Sequence, residues 1–253
     1  MRRKLIYPHR SVRSIPFTAG RVTVAVLIAM ALTTGIYWFR AVLLEEHNRI
    51  TAALLDVSGI PADGSERVDI FKPIGSADVI TTPVFSPNQQ LPRVTVLFAG
   101  VFLALIVVHR KVPMARSFVV FLVVILLVTA VIIFIWPETG ITSAEFSQIW
   151  LRQAVLIWFV LPWISACLLV VLQHNLLLGV AWAVVMQAYG FVWSAIRLAF
   201  CLGVLHFSGL LLMPLLWFTL GLLAEALYIV VFLSISTRVA GLRAWGRRAS
   251  WQF

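Results

Sequence analysis

The sequence predicts an all-α membrane protein: a polytopic transmembrane helix bundle of about six spans with a small extracytoplasmic loop domain. Of its 253 residues, 61% are hydrophobic and only 12% are charged, whereas soluble domains carry about 25% charged residues. Long apolar stretches recur at lengths near the roughly 20 residues that cross a hydrocarbon core of about 30 Å. Basic and acidic residues are separated into different connecting segments, which is typical of a chain threaded through a membrane.

The apolar stretches divide the chain into tails, spans and loops. In chain order these are a basic cytoplasmic tail at 1–21, a span at 22–44, an extracytoplasmic loop domain at 45–92, spans at 93–109, 117–136, 153–172, 176–204 and 210–236, and a basic cytoplasmic tail at 237–253. Pro162 lies inside the fourth span, where we expect a kink. The first span is long and no small-x-small cleavage site follows it, so we interpret it as an uncleaved anchor and not as a signal peptide.

Charge predicts the orientation. Three segments carry Lys and Arg without any acid: Arg2, Arg3, Lys4, Arg10, Arg13 and Arg21 at the start, Arg110, Lys111 and Arg116 after the second span, and Arg238, Arg243, Arg247 and Arg248 at the end. The acids Glu45, Glu46, Asp56, Asp63, Glu66, Asp69, Asp78, Glu138 and Glu145 fall in the other segments. Because basic loops stay in the cytoplasm, the sequence predicts a bacterial inner-membrane protein with both termini inside. The net charge is +10, but the basic residues lie beside apolar spans and not together on one polar face. We therefore exclude nucleic-acid binding.

The loop domain is predicted to begin with a helical continuation from Glu45 to Val57. Two strand-like runs follow, Val68–Phe71 and Val79–Thr82, separated by a turn-forming stretch at 72–76, which predicts a hairpin. A segment of this size is too small for a core of its own, so we expect it to pack on the helix ends.

Small or polar residues interrupt the fifth and sixth spans at helical spacing. In the fifth they are Gln187, Gly190, Ser194, Arg197 and Cys201, and in the sixth they are Gly221, Glu225 and Tyr228. Spacings of three and four residues put each set on one helix face. Two interpretations stay open: an intramembrane polar seam between the helices, or a polar cavity between them.

Arg197 and Glu225 are the charges of these two faces, and a charge deep in a membrane needs a partner. Upright helices would put Arg197 about 10 Å outward of the midplane and Glu225 slightly inward. We therefore expect no direct pair. The prediction is that Gln187 or Tyr189 lies beside Glu225, and that Arg197 reaches towards the outer surface.

Cys201, Arg197 and His206 gather near the outer end of the fifth span. A thiolate nucleophile, an imidazole that moves protons and a guanidinium that holds an oxyanion are the groups of a Cys-dependent transpeptidase or protease. The alternative is a packing cysteine beside an interfacial histidine, so the sequence leaves enzymatic activity undecided. It predicts no cofactor and no metal site, and His174 is interpreted as part of a tight turn.

The stretch Leu54-Leu55-Asp56-Val57-Ser58-Gly59-Ile60-Pro61, the strand-like pair after it and two apolar helices joined by His109-Arg110-Lys111 resemble the exosortase/archaeosortase family of membrane proteins. The segment Ser194-Ala195-Ile196-Arg197-Leu198 is similar to the family's Asn-x-x-Arg motif, with Ser in place of Asn. The resemblance implies outward-facing Cys, Arg and His that cleave and transfer proteins bearing a C-terminal sorting signal. The family's Cys-Ser-Gly-like motif is replaced here by Phe85-Ser86-Pro87-Asn88-Gln89-Gln90, which implies a non-catalytic relative.

Three functions follow from these patterns. The first is a non-catalytic or accessory exosortase-like protein in envelope protein sorting or exopolysaccharide export. The second is a non-enzymatic structural subunit of a larger membrane complex, and the third is a small transporter with a polar path through the last two spans. In each, the predicted partners are the lipid bilayer and other membrane proteins.

Overall fold

A computed structural model describes residues 19–62, 65–72, 74–83, 91–112, 116–135, 142–170, 176–208 and 212–238. The described chain is mostly helical. Its helices are α1 (Ala19–Trp38), α2 (Arg40–Val57), α3 (Leu91–Lys111), α4 (Arg116–Ile135), α5 (Ser143–Ser165), α6 (Leu176–Ser208), α7 (Met213–Leu216) and α8 (Ala224–Arg238), with π-helical turns at Ala166–Val170 and Trp217–Leu223. The strands are β1 (Ser65–Phe71) and β2 (Gly75–Ile80). Most of the predicted basic tails, and also His174, lie outside the described residues.

Within the described residues, four helical segments are long and apolar enough to cross a membrane: Ala19–Trp38, Ser143–Leu168, Leu176–Ser208 and Met213–Ile235. Large apolar side chains such as Leu27, Val131 and Leu227 are more than half exposed, which fits helices surrounded by lipid. The stretches 93–109 and 117–136 form α3 and α4. Arg93, Arg110 and Lys111 shorten the apolar part of α3, and the apolar part of α4 is the shorter Arg116–Ile132.

The first predicted span is interrupted at Phe39. The helix α1 ends at Trp38 and α2 begins at Arg40, one turn before the helical continuation was expected to start. The helix α2 ends at Val57, and Gly59, two residues later, has a positive φ of 67° that lets the N–H of Ile60 bond to the carbonyl of Leu55 at 3.0 Å. This is the usual role of glycine after a helix.

The predicted hairpin is present. The strands β1 and β2 are antiparallel, with Ser65 opposite Ile80 and Val68 opposite Ala77. The second strand begins at Gly75 and not near Val79, because the turn is shorter than the loop inferred from the sequence. The end of the bundle where α1 stops, α5 begins and this hairpin packs is called the hairpin end below.

The hairpin packs on α5 and α2, as expected of a segment without a core of its own. Ile70, Ala77 and Val79 are buried against Leu151, Val155 and Trp158 of α5. The helix α5 starts with a capping box in which Thr142 and Glu145 exchange side-chain and backbone hydrogen bonds. A second buried cluster joins Leu55 and Ile60 to Phe146, Trp150 and the last turns of α6. Both clusters lie at the hairpin end, around the polar residues described next.

Candidate functional site

The two predicted polar faces meet. The guanidinium of Arg197 forms a buried ion pair with the carboxylate of Glu225, and their side chains are 3% and 8% exposed. The expectation that these two residues stay apart is therefore wrong. That expectation assumed two upright helices centred on the membrane midplane, whereas the contact brings Arg197 and Glu225 within side-chain reach of each other.

The π-helical turn Trp217–Leu223 completes the surroundings of Arg197. Its Nη1 donates to the carbonyls of Leu220 and Gly221, the latter at 3.1 Å. Such a turn departs from the α-helical bonding pattern, and here it presents two carbonyls to a side-chain donor. The guanidinium carbon lies 5.6 Å from the ring centre of Trp150 and 5.9 Å from that of Trp193. Its Nε also donates to the carbonyl of Trp193 at 3.4 Å, so Arg197 is held by a carboxylate, three carbonyls and two aromatic faces.

Glycines bring the helices close together beside the ion pair. A Cβ atom on Gly190 would lie 2.8 Å from the hydroxyl of Tyr228, and one on Gly221 would lie 3.3 Å from Oε1 of Gln153. Tyr228 also contacts the ring of Tyr189, with centres 5.6 Å apart. Small residues at helix contacts allow such approach in membranes.

Gln187 and Tyr189 do not occupy the predicted place beside Glu225. Gln187 donates from Nε2 to the carbonyl of Trp158 at 3.3 Å, and Tyr189 stacks on Trp193 with ring centres 6.0 Å apart. The ion pair is the reason, because Arg197 fills the position that a neutral partner was expected to take.

His47 of α2 reaches the same region and was missed by sequence reasoning. Its Nε2 lies 3.1 Å from the hydroxyl of Ser194, which itself donates to the carbonyl of Phe191 at 2.9 Å. Because the Ser194 proton is used there, Nε2 of His47 is the donor. Its ring packs on Trp158 and Phe191, with centres 5.5 and 6.0 Å away.

Burial lowers the pKa of His47 to about 4. The nearby charge of Arg197 lowers this pKa further, whereas the neighbouring side chain of Asn48 raises it. At neutral pH the ring is therefore uncharged and joins α2 to α6 through Ser194. The missed signal is the spacing of Leu44, His47, Thr51 and Leu55 at steps of three, four and four, all four of which are buried. That period predicts a buried helix face.

Several buried polar atoms around the ion pair have no hydrogen-bond partner in the described part of the chain. They are Oε2 of Glu225, the hydroxyl of Tyr228, Oε1 of Gln153 and Nδ1 of His47. Unpaired buried groups of this kind commonly hold ordered water. Among the described residues, no cluster of three or more His, Cys, Asp or Glu side chains is arranged to hold a metal ion.

Cys201 lies about one helical turn beyond Arg197 on α6, and His206 lies between two and three turns beyond it. The thiol of Cys201 is fully buried in the apolar cluster with Leu198, Leu202 and Leu205. His206 is partly exposed, and its Nδ1 lies 2.8 Å from the carbonyl of Pro83, so Nδ1 donates to that oxygen. The catalytic role of Cys201, Arg197 and His206 stays a prediction. In this arrangement, the cysteine side chain lies in the protein interior and the histidine faces the segment that leads to α3.

No protein-family model matches this chain, and comparison with curated proteins and with solved structures likewise found no match.

Proposed function

We propose that this chain is a bacterial inner-membrane protein of about six spans, with both termini in the cytoplasm and the hairpin end outside. The four long apolar helices and the helical form of α3 and α4 support this count. The distribution of Lys and Arg supports the orientation, because three acid-free basic segments then share one side of the membrane.

Reporter fusions test the topology. Alkaline phosphatase, which is active only outside the cytoplasm, should be active when fused after Thr82 and inactive when fused after Lys111 or after Phe253. A green fluorescent protein fusion should give the reverse pattern. Activity of the phosphatase after Phe253 would contradict the even number of spans, and activity after Lys111 would contradict the assignment of α3.

Within that membrane, the proposed function is that of a non-catalytic, exosortase-like accessory protein in envelope protein sorting or exopolysaccharide export. The observation that carries this proposal is the contact between His206 and Pro83 at 2.8 Å. Pro83 lies two residues before Phe85-Ser86-Pro87, which stands where the resembling family has its cysteine motif. His206 and the Arg197 segment are on one helix, so this contact joins that helix to the residue that precedes the altered family motif in the sequence.

The absence of a cysteine from that position and the burial of Cys201 support a role without thiol chemistry. A nucleophilic cysteine needs access and a stabilised thiolate, but Cys201 is 0% exposed and packed among leucines. Arg197 is also occupied, because its guanidinium is shared between Glu225 and the carbonyls of Leu220 and Gly221. A group that already neutralises a carboxylate is a poor holder for a developing oxyanion.

A structural subunit of a larger membrane complex is the second candidate. The ion pair between Arg197 and Glu225 favours it, since this pair joins α6 to α8 in the way expected of a rigid seam. The same pair weighs against the transporter, whose polar path would have to pass between these two side chains.

Purification in mild detergent, followed by mass spectrometry of the associated proteins, tests the function. We expect a membrane sorting protease or a polysaccharide-export protein in stoichiometric amounts with the wild-type chain and with Cys201→Ala. His206→Ala should weaken this association, because it releases the segment before α3, whereas His109→Ala at the other end of α3 serves as the matched control.

Two results would overturn the proposal. One is a covalent thioester product trapped on Cys201, or loss of substrate processing in Cys201→Ala while the amount of folded protein is unchanged. The other is a complex that forms equally well with His206→Ala and contains only respiratory or transport subunits, which would favour the structural-subunit alternative.

A further inference from the structure

A cleft of about 530 Å³ opens between α2 and β2 at the hairpin end. Its floor is apolar and is formed by the buried side chains of Leu44, Ala77 and Ile80. A hydrogen bond from the side chain of Asn48 to the carbonyl of Asp78 joins the helix wall to the strand wall. The other residues of the walls are small or polar: Ala41, Glu45, Arg49, Ala52 and Ser76.

Two carboxylates in the walls of this cleft lack a counter-charge. In the described part of the chain, neither Glu45 nor Asp78 takes part in an ion pair. Arg67 stands opposite Asp78 in the hairpin, but its Nε donates to the hydroxyl of Ser76 at 3.0 Å. A cation that enters the cleft therefore meets two negative charges, both on exposed residues.

Arg49 supplies the opposite charge, one helical turn after Glu45 on the same face of α2. Its guanidinium lies 3.5 Å from the carboxylate of Glu46, and its side chain is 78% exposed. Such a pair contributes little, and the guanidinium keeps further N–H groups for another anion. A ligand that matches the cleft thus carries a cation for the two carboxylates, an anion for Arg49 and an apolar part for the floor.

The position of the cleft indicates where such a ligand is found. The helix α1 is long and apolar enough to cross a membrane and ends at Trp38, and the lining of the cleft begins three residues later at Ala41. Trp38, Phe39 and Val42 are 77%, 60% and 57% exposed, which is typical of large side chains at the edge of the hydrocarbon region. The cleft therefore opens at the depth of the lipid headgroups.

We propose that this cleft binds the headgroup of a phosphatidylethanolamine lipid. The primary ammonium donates to the carboxylates of Glu45 and Asp78, the phosphodiester lies against Arg49, and the glycerol end of the chains covers the apolar floor. A choline headgroup has the same charges but no N–H to donate, so the carboxylates select between these two lipids. This site is separate from the contact between His206 and Pro83. It does not depend on the proposed sorting function or on which side of the membrane the hairpin end faces.

Native mass spectrometry of the detergent-solubilised protein tests the proposal with two lipids that differ only in the headgroup. Phosphatidylethanolamine and phosphatidylcholine with the same acyl chains are added in equal amounts, and the protein-bound share of each is measured. We expect the wild-type protein to retain phosphatidylethanolamine about fivefold more, the size expected of charge-assisted contacts at exposed positions. This preference should disappear in the double variant Glu45→Gln with Asp78→Asn. The control Asp56→Asn, which alters an exposed acid of α2 outside the cleft, should keep it.

Blocking the cleft provides the second measurement. Ala41→Trp places an indole at the membrane end of the cleft and should abolish the preference, whereas Val42→Trp, at a neighbouring position that does not line the cleft, should keep it. Should the double variant not fold, the comparison of these two tryptophan variants still decides. Equal retention of the two lipids by the wild-type protein would overturn the ammonium contact, and an unchanged preference in folded Ala41→Trp would overturn the cleft as the binding place.

The free headgroup separates a lipid from a soluble ligand. Glycerophosphoethanolamine carries the same ammonium and phosphodiester without acyl chains, and at the concentration of the lipid it should displace little of the bound phosphatidylethanolamine. Complete displacement at that concentration would overturn the lipid as the occupant, because the chains would then add nothing to binding.

Discussion

Arg197 of α6 and Glu225 of α8 form a buried ion pair across 28 positions of sequence. The pair joins two helices that would otherwise meet mainly through apolar contacts. The guanidinium of Arg197 also donates hydrogen bonds to the carbonyls of Leu220 and Gly221. The π-helical turn, the ion pair and the close approach at Gly190 are therefore one connected arrangement, and each part should depend on the others.

Removing one partner of the pair should destabilise the protein strongly. Glu225→Ala leaves a buried guanidinium without its counter-charge, which costs about 3–5 kcal/mol. The double variant Arg197→Met with Glu225→Leu should be far less destabilised than the sum of the single variants, because it removes both charges. Thermal unfolding in detergent measures these differences.

The control for this series is Glu46→Ala. Glu46 pairs with Arg49 at 3.5 Å on the exposed surface of α2, and such pairs contribute little. Exchanging the charges, Arg197→Glu with Glu225→Arg, should not restore stability, since a carboxylate at 197 would face the Leu220 and Gly221 carbonyls. Full recovery in the exchanged variant would contradict the role assigned to those carbonyls.

Gly190→Ala should destabilise the contact between α6 and α8. The new Cβ would lie 2.8 Å from the Tyr228 hydroxyl and 3.2 Å from Cδ2 of Leu161, and overpacking costs about 1–3 kcal/mol. Tyr228→Phe should restore part of the loss, because it removes the closer atom. Gly100→Ala in α3 meets nothing within 4 Å, so it should be neutral or stabilising. Equal melting temperatures for Gly190→Ala and Gly100→Ala would argue against the close approach.

Periodicity predicted which faces of α6 and α8 carry the polar residues, because a helix face follows from the residue spacing alone. It could not predict which residues meet across the interface. That depends on the offset of one helix along the other, which is set by packing at Gly190 and Tyr228 and by the π-helical turn. The sequence has no local signal for either, so Arg197 and Glu225 were wrongly separated.

The surroundings of the ion pair were predictable only in part. The buried face of α2 was visible in the spacing from Leu44 to Leu55, but residue spacing does not indicate which helix covers that face. Its contact with α6 through His47 and Ser194 depends on where the hairpin holds α2. Long-range packing of this kind requires the three-dimensional arrangement.

The burial of His47 should make stability depend on pH. Its pKa is about 4 in the folded protein and about 6.5 in an unfolded chain. Because the folded pKa is the lower one, the unfolded chain takes up the proton first as pH falls. The stabilisation is fully present above about pH 6.5 and is lost towards pH 4, by roughly 3 kcal/mol in total.

Melting temperatures between pH 7.5 and 4.5 measure this dependence. His47→Gln keeps a polar side chain but cannot titrate, so its melting temperature should fall less over this range than that of the wild-type protein. Carboxylates titrate in both proteins and their effect is removed by the comparison. Parallel pH profiles would mean that His47 is accessible to protons in the folded state.

Arg152 should decide whether the hairpin stays ordered on α5. Its Nε donates to the carbonyl of Ile70 at 2.9 Å and its Nη2 to that of Asp69 at 2.8 Å, while Gln148 donates to Asp69 at 2.9 Å. These bonds join carbonyls of β1 to two side chains of α5. Arg152→Ala removes the side-chain donor from the carbonyl of Ile70, which is 1% exposed, at a cost of about 1–3 kcal/mol.

Hydrogen exchange of the amides in β1 and β2 measures the consequence. Exchange should become about tenfold faster or more in Arg152→Ala, because local opening of the hairpin then costs less free energy. Arg67→Ala is the matched control, since Arg67 bonds across the hairpin to Ser76 at 3.0 Å and is exposed. If the two variants exchange at the same rate, burial of Ile70, Ala77 and Val79 alone holds the hairpin on α5, and the Arg152 bonds follow from that packing.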